Sequence, residues 1–111
     1  MTELYHYTCR HRAAMIERDG WLHPNPQPVI GYPLVWATDL DEPDVEALGL
    51  TSHTLRCDRS EVRLRVDPSD LEPWLAWCHG RVDPRVRSEL AFGRRPARWW
   101  VAQVPVRVLD P

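Results

Sequence analysis

ELYHYT, residues 3–8, has the composition of a β-strand with a histidine at its centre. Tyr and Thr favour extended backbone. A buried core strand would carry Leu, Val or Ile where His6 stands. Alternation puts His6 and Thr8 on one face, two residues apart. Two readings are open. In the first, His6 is half-buried, its ring bonded to a backbone carbonyl. In the second, imidazole and hydroxyl project side by side toward a ligand, a pair suited to a sugar diol or a carboxamide.

The chain around this strand is short. Its 111 residues make one domain, residues 1–111, with material for one hydrophobic core. The net charge of -2 advertises no polyanion-binding surface over the molecule as a whole. All 14 basic residues are Arg, which excludes Schiff-base chemistry and a phosphate-binding lysine. No apolar run approaches the ~18 residues of a membrane span, and the N-terminus lacks a signal-peptide pattern. Cys9, Cys57 and Cys78 form no CxxC. Together these predict free thiols in a reducing cytoplasm and no membrane association.

Working outward, HRAAMIERDGWL reads as a short helix stopped by Gly20. HPNPQPVIGYP is a loop, because its prolines forbid regular structure. PLVWATD is a second strand, with Trp36 and Thr38 on one face and Val35 and Ala37 on the other. Trp36 is either a core block or a flat wall for a ring. A short acidic helix is expected over roughly 42–48, with Pro43 in its first turn and Gly49 as its stop. SEVRLRV alternates Val62, Leu64 and Val66 with Arg63 and Arg65, a strand with arginines on one face. A helical turn is expected after Ser69. Asp83 and Pro84 open another helix. ARWWVAQVPVRVL is the longest strand, with a break or edge at Pro105. Short strands and a few short helices predict an α+β fold rich in antiparallel pairing.

Taken together, LYHYT, a small helix, GWL, a Pro-rich loop and VWATD resemble the first half of an ADP-ribosyltransferase domain. The chain also resembles small actinobacterial and phage proteins with LWHYTC, VWLTDL, ALGLT, CDR and a final WWV. The resemblance implies an ADP-ribosyltransferase-like split β-sandwich of two small, mainly antiparallel sheets. It implies NAD as substrate, with His6 on the nicotinamide-side ribose, supported by Thr8, and the backbone at Tyr7 on the carboxamide. PLVWATDLDEPDVEAL corresponds to the second strand and its helix. The helix has no tyrosine at the stacking position, so Tyr32 or Trp36 would wall the nicotinamide, with Thr38 beside Trp36. The last strand lacks the family's glutamate. Glu89 is the nearest carboxylate and would stabilise the oxocarbenium-like state.

Arginines cluster at Arg56, Arg59, Arg63 and Arg65 and again at Arg94, Arg95 and Arg98. Each is either a solvated residue paired with nearby Asp or Glu or, as the resemblance implies, part of a fork for the NAD pyrophosphate, for which Arg63 is the named residue. Cys9 with His11, His53 with Cys57 and Cys78 with His79 lack the spacing of zinc sites, so no metal is expected. Two functions follow. One is ADP-ribosyl transfer from NAD to a protein, a nucleic acid or water. The other is a degenerate domain that binds a nucleotide or protein without chemistry, as a phage or bacterial inhibitor of a host enzyme would.

Overall fold

The computed structural model describes residues 3–42 and 61–110. Helix 42–48, His53, Arg56, Cys57 and Arg59, all singled out above, lie at or beyond the edge of those residues. The strands are β1 (Leu4–Thr8), β2 (Trp21–Leu22), β3 (Val35–Thr38), β4 (Val62–Val66), β5 (Glu72–Pro73), β6 (Trp99–Ala102) and β7 (Val106–Asp110). The helices are α1 (Arg10–Asp19), α2 (Trp74–Trp77) and α3 (Pro84–Ala91), with a 3-10 turn at Pro96–Arg98.

The fold is α+β, and every strand pair is antiparallel, in the order β2-β7-β4-β1-β3-β6-β5. The two expected sheets are therefore joined as one curled sheet. The joint is thin. β1 registers with β4 at five positions but with β3 at one, Tyr5 opposite Thr38. We call this β1–β3 boundary the seam.

Local sequence explains the elements. Gly20, at φ 84°, ends α1, its N–H donating to the Ile16 carbonyl. A residue with a Cβ resists that left-handed conformation. Asp83 caps α3 by accepting from the Arg85 N–H at 2.7 Å, and Pro84 fills the first turn. The helical turn expected after Ser69 falls later, at Trp74–Trp77. The long C-terminal strand is two strands, because Gln103–Pro105 interrupts it. Pro105 has no N–H for a ladder. β6 lies beside β3, whereas β7 lies beside β4.

The sheet carries a core on each face. Leu4, Leu22, Val35, Ala37, Val66 and Val106 form one, with Ile16 and Trp100 packed against it. Ile30, Leu34, Trp74, Trp77, Trp99 and Val101 form the other. In the second core Trp36 lies 5.0 Å from Trp74 and meets Trp99 edge-on at 5.8 Å. Helix α2 delivers Trp74 and Trp77 together, because residues three apart share a helix face. Four of the six tryptophans are thus packed into one aromatic block, each burying a large apolar area.

Candidate functional site

A cavity of about 960 Å³ runs along the seam. Its floor is Tyr5–Thr8 of β1 and Leu34–Thr38 at β3. One wall is α1, through His11, Arg12, Met15, Ile16 and Asp19; Leu90 and Arg94, at and just beyond the end of α3, line another part. Trp21, His23, Asn25 and Gln27 complete the rim.

His6 sits where the two strands part. It is half-buried, and its Nδ1 lies 2.8 Å from the Trp36 carbonyl oxygen. A carbonyl only accepts, so Nδ1 carries the proton and donates. In the neutral ring Nε2 is then an acceptor. The carbonyl-bonded histidine anticipated as a structural residue is therefore present, and it also lines the cavity. The contact closes the seam through a side chain just beyond the last registered backbone pair.

Tyr7 and Thr8 are buried and line the cavity. The Tyr7 hydroxyl donates to the Leu40 carbonyl at 2.8 Å. Burial pushes its phenol up to about 12, with Asp41 adding to the rise and Arg63 opposing it, so it stays protonated at neutral pH. Thr38 is buried too. Its hydroxyl donates to the Arg98 carbonyl at 2.7 Å and accepts from the Leu40 N–H at 3.2 Å. Both hydroxyls thereby hold the turn after β3.

Trp36 lines the cavity, but not beside His6. With Tyr5 opposite Thr38, strand alternation sends Trp36 to the face of Tyr5 and His6 to the other. Trp36 belongs to the aromatic block and reaches the cavity through the seam.

Three expected residues stand apart from the cavity lining. Tyr32 packs edge-on against Trp77 at 5.4 Å. Arg63 is exposed on β4, donating to the Asp41 carbonyl at 2.6 Å and lying 4.7 Å over the Tyr5 ring. Glu89 is exposed on α3; its neighbour Leu90 is the one that reaches the cavity. The structure thus brings together His6, Tyr7, Thr8, Trp36 and Thr38, and leaves out Tyr32, Arg63 and Glu89. Arg65 pairs with Glu3 at 3.5 Å, and the Arg98 Nε donates to Asp39 at 2.5 Å.

Sequence reasoning missed the polar side of α1. His11, Met15 and Asp19 recur every four residues, the signature of one helix face. Asp19 is the sole carboxylate lining the cavity among the described residues, and it bonds the His23 Nε2 at 2.6 Å. Against it stand Arg12 and Arg94, so among the described residues the lining carries two cationic side chains to one carboxylate.

Cys9 and Cys78 are buried and in no disulfide, and no group of three metal-ligating side chains gathers among the described residues. No helix among them is long and apolar enough to cross a membrane. Comparison of the chain with protein-family models, with curated proteins and with solved structures returned no match.

Proposed function

We propose that the chain is an ADP-ribosyltransferase-like domain that binds NAD in the seam cavity and passes ADP-ribose to a macromolecular acceptor or to water. The observation that carries this reading is the position of His6, polar and half-buried at the point where β1 and β3 separate. The cavity volume of about 960 Å³ lies within the range of small-molecule sites. Arg12 and Arg94 supply forked donors for a pyrophosphate. Tyr7, beyond the one registered pair, lines the cavity, and its backbone would take the carboxamide.

In the reaction the nicotinamide–ribose bond breaks, and nicotinamide departs neutral with the bonding pair. The acceptor oxygen or nitrogen bonds to the ribose carbon and loses a proton. His6, with Nδ1 committed to Trp36, would hold the ribose from the cavity floor. Thr8 would support that contact from the same strand face.

One observation favours the second reading, a nucleotide- or protein-binding module without chemistry. Glu89 stands outside the lining, and Asp19 is bonded to His23. Transfer without a carboxylate at the reacting ribose would be slow.

The test measures nicotinamide release and the NAD-induced thermal shift for wild type, His6→Ala and Glu89→Gln. Transfer predicts a shift, and release that falls about tenfold or more in His6→Ala, the value of one hydrogen bond lost in the transition state. Glu89→Gln should behave as wild type. A shift without release selects the binding module. No shift and no release would sink NAD as the ligand.

A further inference from the structure

Transfer leaves one proton unplaced, the one that the acceptor loses. His6 commits Nδ1 to the Trp36 carbonyl, and Glu89 is outside the lining. At the cavity rim one imidazole stands directly on a carboxylate. The His23 Nε2 lies 2.6 Å from the Asp19 Oδ2, and both residues line the cavity. A carboxylate only accepts, so Nε2 carries a proton and donates. In the neutral ring Nδ1 is then a lone pair, and it has no partner among the described residues. His11, also in the lining, bonds no carboxylate among the described residues.

The chain builds this pair across a fixed turn. Asp19 is the last residue of α1, and Gly20 follows at φ 84°. The Gly20 N–H donates to the Ile16 carbonyl, and its own carbonyl accepts from the Val108 N–H at 3.0 Å. Trp21 and Leu22 then register with Arg107 and Val106 of β7, and Leu22 is buried. His23 thus leaves the sheet from an anchored strand. Folding does not explain the choice of residues. A helix C-terminus carries partial negative charge, so a carboxylate there is repelled. The side chains of His23 and Asp19 are 64% and 53% exposed, and an exposed pair contributes little to stability. The same exposure opens the ring to an acceptor arriving from solvent. A base oriented by a third group is the arrangement that activates a nucleophile.

We propose that His23, oriented by Asp19, is the general base that activates the ADP-ribose acceptor, and that the acceptor is a hydroxyl, water included. The assignment rests on the transfer reading above. A lone pair of the acceptor oxygen bonds to the ribose carbon as nicotinamide leaves with its own bonding pair. The hydroxyl proton passes to Nδ1 of His23. The imidazolium so formed keeps its Nε2 proton on the Asp19 carboxylate and later releases the Nδ1 proton to water. A carboxylate acceptor is already deprotonated and has no use for this base. His23 is the catalytic residue and Asp19 the positioning one.

Steady-state nicotinamide release from NAD by the full chain, in water and with methanol or acetate added, tests this. His23→Ala should lower kcat about a hundredfold, the low end for general-base catalysis, with KM for NAD and the NAD-induced thermal shift unchanged. Free imidazole should restore release to His23→Ala without accelerating wild type. Asp19→Asn should lower kcat with the shift kept, and Asp19→Glu should recover part of the loss. A pair that only supports the fold would move KM or the shift and would not answer to imidazole. Methanol should appear as methyl ADP-ribose in wild type; preferential capture of acetate would overturn the acceptor class. Release by wild type that is undiminished in His23→Ala, or diminished but unrelieved by imidazole, removes the base and leaves the transfer reading standing. No release by wild type removes both.

Discussion

The two flanks of β1 differ sharply. Toward β4 every residue from Leu4 to Thr8 has a registered partner, and Leu64, opposite His6, is fully buried. Toward β3 one pair is registered, and a histidine side chain spans the next gap. The same five-residue strand is thus scaffold on one side and cavity floor on the other. Rigidity and access are divided between its two edges, so that a ligand can approach backbone without dismantling the sheet.

The largest expected effect comes from breaking the scaffold flank. Leu64→Ala removes a wholly buried side chain and should cost about 3 kcal/mol by lost transfer energy and a residual cavity. Urea unfolding measures it; a loss under about 1 kcal/mol would mean that the β4 flank is as yielding as the seam. Next is the brace at the far end of β3. Arg98→Ala leaves Asp39, 23% exposed, without its 2.5 Å partner. The expected cost is about 1.5 kcal/mol, at the low end for a hydrogen bond between charged groups because both remain partly wet.

The smallest effect sharpens the comparison through pH. Tyr7→Phe should cost about 1 kcal/mol near neutrality, the net value of one buried hydrogen bond. The folded phenol titrates at about 12, against an ordinary value of 10.0. Above the ordinary value the unfolded chain loses that proton first, so stability falls as pH rises. The contribution is therefore complete below pH 10 and disappears as pH climbs toward about 12. Unfolding curves of both proteins should converge across that window; parallel curves would show that Tyr7 is not shielded at the seam.

Much of this was legible in residue order. A histidine amid tyrosines marked the strand that floors the cavity. Alternation gave β4, and Asp83-Pro84 gave the start of α3. What residue order did not carry was facing. Val86 and Leu90 pack inward on α3, and Glu89 is about 100° around the helix from Leu90, so it points to solvent. Arg63 pairs across from Tyr7, and alternation turns it away from the face of His6. Trp36 and His6 are both central in their strands, but only the register of Tyr5 with Thr38 shows that they leave by opposite faces. The side of α1 that meets the cleft was hidden for the same reason. It depends on how α1 lies across β2, β4 and β7, and no local pattern encodes that.

The interruption at Gln103–Pro105 sets a dimension. Between β6 and β7 in the sheet lie β3, β1 and β4. Laid flat, four strand spacings would separate them by about 19 Å. From Ala102 to Val106 the fully stretched backbone reaches about 14 Å. The strap is too short for a flat sheet, so it draws the strands into a hoop whose circumference is fixed by covalent bonds. The curl this imposes crosses the edge between β1 and β3, where a single registered pair holds the sheet. The width of the cleft is, in that sense, written into the length of a loop that lines no part of it.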